Sequence, residues 1–482
     1  MKFYSNFLLS VVMISLITPI AMAAGTTKRP NIILVMADDQ GWGQTGYNGH
    51  ALLKTPHLDA MAKAGLRMDR FYAAAPVCSP TRASVLTGRS PSRTGVKDHG
   101  INLCLQEKTL PQALQAVGYK TALFGKWHLN GVRGHGVPIL KDDPNHPGHY
   151  GFDEWLSVTN FFDIDPLMSR NGEFEDLKGD SSEVVVAEAL KFISKEKDSS
   201  KPFLAVIWYG SPHIPFYAFD EDMKDFPALK GARNKHLGEL VALDRSVGSL
   251  RQGLRDMGIE KDTIVWYCSD NGGLKTDPDS CGDLRGYKTN IYEGGIRVPA
   301  IVEWPGQINP AVSSFPASTM DIFPTLVDML DLPKSSLLEV HDGESINDLL
   351  KGKTPERKNP IPFLIKSKAA LIDGDYKLVT SNIRTGFELY NLKDDFKEEK
   401  DLSKELPERF TKMKSEMEAF IESTKRSAEG ADYPEGRVIQ KARSEFWKNM
   451  DEYKPYFETF AKRPEFKGLA KSLNKTKKQK KQ

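Results

Sequence analysis

The chain has 482 residues, of which 40% are hydrophobic and 27% charged, enough for one large domain with a smaller companion and a substantial core. That composition excludes a disordered chain, and the lack of any repeat period or heptad run excludes a solenoid or a coiled coil. The formal charge of +2 hides a split, because residues 466–482 carry seven lysines and no acid. Without these and Lys2, 58 of the 66 basic residues face 64 acidic ones. Such a body exerts no global pull on a polyanion, so nucleic acid is not an expected partner and an anionic substrate needs a local cationic site. The lysine-rich end reads as a solvated tail, with contact to an anionic polymer or membrane surface as the alternative.

Residues 1–23 read as a signal peptide. Lys2 opens a short n-region, residues 7–17 are apolar, and Ala21-Met22-Ala23 is a small-x-small cleavage site. The apolar run, interrupted by Ser10, Ser15 and Pro19, is too short to span a bilayer comfortably. No cysteine follows the cleavage point, which argues against a lipid anchor there. The expectation is an exported protein, periplasmic or secreted, with no integral membrane segment after cleavage.

Residues 31–37, Asn-Ile-Ile-Leu-Val-Met-Ala, are a β-branched apolar run typical of a strand buried on both faces, and they lead into Asp38-Asp39. A helix follows over 55–65, with Thr55 as cap, Pro56 at its start and Gly65 as stop. The stretch Cys78-Ser79-Pro80-Thr81-Arg82-Ala83-Ser84-Val85-Leu86-Thr87-Gly88-Arg89 turns from loop to helix, with Ser79 as the expected N-cap and Pro80 in the first turn. Taken alone it reads as a buried thiol at a helix start. Further apolar strands at 121–124, 203–209 and 263–268 lead into Gly125-Lys126-Trp127-His128, Gly210-Ser211-Pro212-His213 and Ser269-Asp270-Asn271-Gly272. Helical stretches at 110–117, 182–194 and 237–257 lie between them. This alternation predicts an α/β fold, a mixed, mostly parallel sheet sandwiched by helices. In such sheets ligands bind beyond the carboxyl ends of the strands, and four strands here end in ionisable or amide groups.

Beyond a polar linker at 352–360, residues 369–379 read as two strands around an Asp-Gly turn, 387–392 as a third, and 407–423 as a closing helix. These make a small C-terminal α+β domain over 361–424, followed by a charged extension over 425–482. The four cysteines of an exported chain invite a disulfide reading, although Cys268 lies in an apolar strand and reads as core.

The pattern Cys78-x-Pro80-x-Arg82, extended through Leu86-Thr87-Gly88-Arg89, resembles the signature of the type I sulfatases. Gly125-Lys126-Trp127-His128, Ser211-Pro212-His213, and Lys288 in the Gly-rich loop ahead of Arg297-Val298-Pro299 resemble that family's other motifs. The resemblance covers residues 30–330 and a small C-terminal unit. It implies an alkaline-phosphatase-like fold with a catalytic domain over 28–350. It implies that a maturation enzyme oxidises Cys78 to formylglycine before folding is complete, leaving Cys104, Cys268 and Cys281 and at most one disulfide. It also implies one divalent cation held by Asp38, Asp39, Asp270, Asn271 and an oxygen of the modified Cys78. Oxygen-only ligation favours Ca²⁺ or Mg²⁺ over zinc, and the family commonly holds Ca²⁺. Gln44, Thr81 and Asn130 stand where many members have Asp, Ser and Gly, departures that bear on substrate fit.

The implied reaction is hydrolysis of a sulfate ester. One hydroxyl of the hydrated aldehyde at position 78, polarised by the metal and Arg82, attacks sulfur in line with the leaving alcohol. Lys126, Lys288 and the cation hold the sulfate oxygens. His213 or Lys288 protonates the leaving oxygen, and His128 takes the proton from the second hydroxyl as sulfate departs. Loops at 130–155, 159–179 and 272–283 point to a sulfated carbohydrate, with Trp155, Phe161 and Phe162 as candidate stacking surfaces, although each reads first as a packing residue. The alternatives are an arylsulfatase, a phosphonate or phosphate monoester hydrolase of the same superfamily, and a non-catalytic binder of sulfated glycans. The intact Cys78-Ser79-Pro80-Thr81-Arg82 argues against the last.

Overall fold

The computed structural model of the protein describes Met1, residues 29–199 and residues 201–469. The signal peptide expected at 1–23 and the lysine-rich end beyond 469 lie outside the described residues. Ten strands form the main sheet, and its centre is five neighbouring parallel strands: Thr263–Ser269, Asn31–Ala37, Phe203–Trp208, Lys120–Lys126 and Glu154–Val158. Ala300–Glu303 and Leu66–Met68 continue one edge in antiparallel pairing, and the hairpin Leu167–Arg170 with Glu173–Asp176 closes the other. The result is the mostly parallel sheet expected from the alternation of strands and helices, in the alkaline-phosphatase-like arrangement that the sulfatase resemblance implies.

The first strand shows why. Ile32, Leu34 and Met36 pack into the layer holding the helices Cys78–Thr87, Leu110–Ala116 and Ile322–Met329. Ile33, Val35 and Ala37 pack into the opposite layer, with Pro56–Ala64, Ser181–Glu196 and Ala232–Asp256. Both faces are covered, so the run is continuously apolar. Each large aliphatic side chain buried this way contributes roughly 1.5–3 kcal/mol.

The Cys78 helix starts earlier than its sequence suggests. Val77, extended at φ −150° and ψ 153°, is the N-cap, and Cys78 is the first helical residue. Ser79 does not cap: its Oγ donates to the His128 carbonyl at 2.7 Å and accepts from the Gly100 N–H at 2.8 Å. Pro80 is therefore the third helical residue, where a backbone N–H has no intrahelical acceptor anyway. Gly88 ends the helix in the left-handed region, as its position predicts.

The small C-terminal unit is a four-stranded antiparallel meander, Ile361–Ile365, Lys368–Asp373, Tyr376–Thr380 and Glu388–Asn391, covered by the helix Pro407–Ala428. Met413 and Met417 of that helix pack on Leu371, Leu378 and Leu389. Residues beyond 428, expected as a charged extension, fold back on the catalytic layer as far as they are described. Glu445–Phe446 pairs with Val132–Arg133. Trp447 is fully buried against Tyr453, Phe457, Phe460 and Phe466. Dense charge between these aromatics masks the cluster in the sequence. All four cysteines are free and buried. Among the described residues no helix is long and apolar enough to cross a membrane.

An ion triad joins the small unit to the main one. Lys377, fully buried, lies 2.9 Å from Glu293 and 2.9 Å from Glu398. Glu293 follows the loop that carries Lys288, and its own N–H donates to Glu398 at 2.7 Å. Replacing Lys377 with Met strands two buried carboxylates, so thermal or urea unfolding of K377M is expected to show a loss of about 3–5 kcal/mol. Lys412→Met, which removes an exposed partner of Asp373, is expected to change stability by less than about 1 kcal/mol.

Candidate active site

The five parallel strands all end at the same edge, and four of them deliver candidate residues there. The register pairing Ala37 with Ser269 sets Asp38 beside Asp270. Asp39 follows at φ 71°, a left-handed conformation costly for a residue with a side chain. It turns the Asp39 N–H onto Asp270 Oδ1 at 3.1 Å. Asn271 Nδ2 then donates to Asp39 Oδ1 at 2.8 Å. Asp38, Asp39, Asp270 and Asn271 are all fully buried.

Cations from three other segments meet these carboxylates. Lys126, the last residue of its strand, donates to Asp38 Oδ2 at 2.6 Å. Arg82, one turn into the Cys78 helix, donates to Asp270 Oδ2 at 2.7 Å, and its guanidinium lies over the Trp208 ring. Lys288 donates to Asp39 Oδ2 at 2.7 Å. Burial alone would lift the Asp38 carboxyl, but Lys126, with His213, Arg82 and Lys288 beyond it, holds it well below the usual carboxylate range. Burial and the neighbouring charge of Asp38 push Asp270 up to about 7. Burial works against the Lys288 ammonium, but Asp39 outweighs it and keeps the lysine charged.

Cys78 Sγ lies 3.3 Å from His128 Nδ1, with His128 at φ 57° and its carbonyl held by Ser79. Burial pushes the Cys78 thiol up, and burial with Lys126 and Arg82 drives His128 well below its ordinary value. Both groups are neutral at pH 7, so the pair is not a thiolate–imidazolium couple. His213 stacks on Phe161 with centroids 4.6 Å apart and its Nε2 is 3.8 Å from Asp39 Oδ2. Its Nδ1 donates to the Ile214 carbonyl at 2.6 Å, leaving Nε2 toward the carboxylates. Burial and Lys288 bring His213 down to about 4.

The donor set fits a hard cation. Asp38 Oδ1 and Asn271 Oδ1 are buried with no hydrogen-bond partner, and an orphaned buried oxygen is costly unless something positive meets it. Ligand atoms of Asp38, Cys78 and Asp270 lie within 4.8 Å of one another, as do those of Asp38, Asp39 and His213. Carboxylate and amide oxygens without a thiolate suit Ca²⁺ or Mg²⁺.

Above this floor opens a cavity of about 390 Å³ whose walls include Cys78, His128, His213, Lys288 and Phe161. All ten candidate residues from the sequence therefore meet in one place. Two of the three proposed stacking aromatics do not: Trp155 and Phe162 are buried in opposite core layers. Trp155 lies within the strand Glu154–Val158, Phe162 folds from the following loop onto Gly210, and only Phe161 reaches the cavity. Sequence reading missed His99, Arg133, Asn160 and Phe446, which also line it. The run Arg133-Gly134-His135-Gly136 was the available signal for the second of these. Nothing in the sequence links Phe446 to it.

The family model for sulfatases matches residues 30–332. The chain is 32% identical to N-acetylgalactosamine-6-sulfatase of Mus musculus over 384 residues, covering 70% of this chain and 69% of the relative. It is 32% identical to arylsulfatase A of Bos taurus over 405 residues, covering 74% and 76%. The solved structure of Ps i-CgsB in complex with k-i-k-neocarrahexaose superposes with a TM-score of 0.74 at 28% identity, covering 81% of this chain and 92% of that one. With its fold, strand-end carboxylates and Cys78 helix accounted for, the chain belongs to the sulfatase family, hydrolases of sulfuric esters.

Proposed function

We propose that the protein is exported and removes sulfate from a sulfated carbohydrate, with Cys78 converted to formylglycine by a maturation enzyme and one Ca²⁺ bound at Asp38, Asp39, Asp270 and Asn271. The observation that carries the metal and nucleophile reading is the pair of orphaned oxygens, Asp38 Oδ1 and Asn271 Oδ1, on the floor that Cys78 faces. The carbohydrate reading draws on a cavity roomy enough for a sugar unit and on Phe161 stacked beside His213. It draws also on the similarity to an N-acetylgalactosamine-6-sulfatase and to a protein solved with a carrahexaose.

A hydrated formylglycine supplies a hydroxyl nucleophile and the cation polarises the sulfate oxygens. The chain's own residues do the rest. Lys126 and Lys288 present fixed ammonium groups to the sulfate oxygens, where charge grows in the transition state. Arg82, locked by Asp270 and the Trp208 face, keeps positive charge under residue 78. His128, neutral and 3.3 Å from Sγ, is placed to accept a proton from a group on residue 78. His213 is the candidate acid for the leaving oxygen: burial and Lys288 hold its imidazolium form low, and a sulfate anion beside it would act in the opposite direction. The three carboxylates offset Arg82, Lys126 and Lys288, which leaves the dication to face a monoanionic sulfate ester.

Mass spectrometry of the tryptic peptide containing residue 78 is expected to show an aldehyde in place of the thiol, and Cys78→Ala is expected to abolish sulfate release. Fully active enzyme carrying only the thiol would defeat the nucleophile assignment. Chelation is expected to lower both activity and melting temperature, with Ca²⁺ restoring both better than Mg²⁺. His213→Ala is expected to reduce kcat/KM for a sugar sulfate roughly a hundredfold or more, and far less for a nitrophenyl sulfate whose leaving oxygen needs little protonation. Equal losses would transfer the acid role to Lys288. Faster turnover of phosphate or phosphonate monoesters than of any sulfate ester would favour the alternative hydrolase.

A further inference from the structure

Arg133 lines the same cavity as Cys78, His128 and Lys288 but takes no part in the chemistry derived above. Arg133 is half-buried, and the arginines whose side chains are buried each have a carboxylate close by, among them Arg82 with Asp270 at 2.7 Å, Arg89 with Asp432 at 2.8 Å, Arg93 with Asp342 at 2.8 Å and Arg357 with Asp321 at 2.7 Å. Among the described residues Arg133 has no such carboxylate, and its Nε is buried without a hydrogen-bond partner. What holds it is neutral. One terminal nitrogen donates to His99 Nε2 at 2.8 Å. That bond makes Nε2 the acceptor and leaves the ring proton on Nδ1, 2.9 Å from Asp98. Asp98, the nearest acid in this chain of contacts, is engaged by Lys366 at 2.8 Å.

The guanidinium plane is fixed from the other side by Phe446, whose ring centroid lies 4.9 Å from Arg133 Cζ. Phe446 is there because Glu445–Phe446 pairs with Val132–Arg133. Gly100 keeps the way open between this arginine and the reaction centre. A Cβ at Gly100 would come within 2.6 Å of Arg133 Cγ and 3.5 Å of His128 Nε2. An oriented, uncompensated guanidinium facing a cavity is a receptor for a planar pair of anionic oxygens.

We propose that Arg133 is a specificity residue: it binds a second anionic group of the substrate, a sulfate or a carboxylate, carried beside the sulfate that is removed. The proposal rests on the carbohydrate reading for the scaffold that carries both groups. The enzyme then prefers polyanionic saccharides over monosulfated ones although its body is net acidic.

The test compares Arg133→Gln and Arg133→Lys with the unmodified enzyme on three matched pairs. Two set a monosulfated saccharide against its disulfated and against its uronate-bearing counterpart, which ranks sulfate against carboxylate. The third is 4-nitrophenyl sulfate against the same ester with a ring carboxylate. R133Q is expected to raise KM for the dianionic members roughly ten- to hundredfold, to leave the monoanionic members within about twofold, and to leave kcat unchanged. R133K is expected to recover part of the loss, and the gap is expected to narrow as salt rises. Phe446→Ala, which keeps the charge but frees its plane, is expected to give a smaller loss in the same direction. Equal KM changes on both members of each pair, in a variant whose melting temperature is intact, overturn the subsite. Selectivity on the aryl pair with no sulfate released from any saccharide overturns the carbohydrate reading and leaves the subsite standing.

Discussion

Three carboxylates sit at the ends of two adjacent parallel strands with no access to water. Taking even one ion out of water costs several kcal/mol after relaxation, and like charges at this range add to it. Everything around Asp38, Asp39 and Asp270 answers that cost. Lys126 comes from the end of a third strand, Arg82 from a helix on one face, Lys288 from a loop, and each takes a different carboxylate. The parallel register is equally constrained, because a shift by one residue would carry Asp38 to the opposite face and into an apolar layer. The positive charge is still incomplete: Asp38 Oδ1, 3.9 Å from Arg82, and Asn271 Oδ1 remain without a hydrogen-bond partner, and they mark where a further cation would fit.

The parts of the chain farthest from these carboxylates in sequence are what hold the movable groups in place. Lys377 of the small sheet anchors Glu293, just beyond the Lys288 loop. Arg443 donates to the Asn130 carbonyl at 2.6 Å and reaches Asp143 at 3.2 Å, tying down the segment that follows His128. His135 lies between Phe161 and Phe466, with ring centroids 4.7 and 5.2 Å away. Loops are the natural place for substrate contacts, but they need a scaffold to fix them, and here the C-terminal residues supply it.

This division explains what the sequence made legible. The strand-end motifs are local. A short apolar run followed by Asp38-Asp39, or by Lys126-Trp127-His128, announces both the strand and its polar end within ten residues, so the sheet and its strand-end candidates could be read, whereas Cys78, Arg82 and Lys288 stood out only through the resemblance to the sulfatases. The N-cap could not, because Ser79 has the right chemistry for capping but is drawn away by His128 and Gly100, contacts 49 and 21 residues distant. Trp155 and Phe162 take the packing role that their residue type favours, but which of the three aromatics reaches the cavity was not legible, because an aromatic near a loop carries no sign of which way it points. Trp447 was hidden by surrounding charge, since its burial depends on close approach to a backbone more than three hundred residues earlier. At Gly134 a Cβ would approach Trp447 Cδ1 and Nε1 to 3.0 Å.

The position of Cys78 also bears on when it can be modified. Its side chain is 2% exposed, its residue opens a helix, and the next residue is bonded to two separate segments. In the finished fold the thiol is neutral and shielded, with a neutral imidazole as neighbour, so it lacks the ionisation that makes a cysteine reactive. The same shielding that makes the site dry enough for strong electrostatics therefore makes residue 78 a poor target once folded. On the proposed formylglycine reading, that burial places conversion before the helix beginning at Cys78 has formed and Ser79 has bonded to His128 and Gly100.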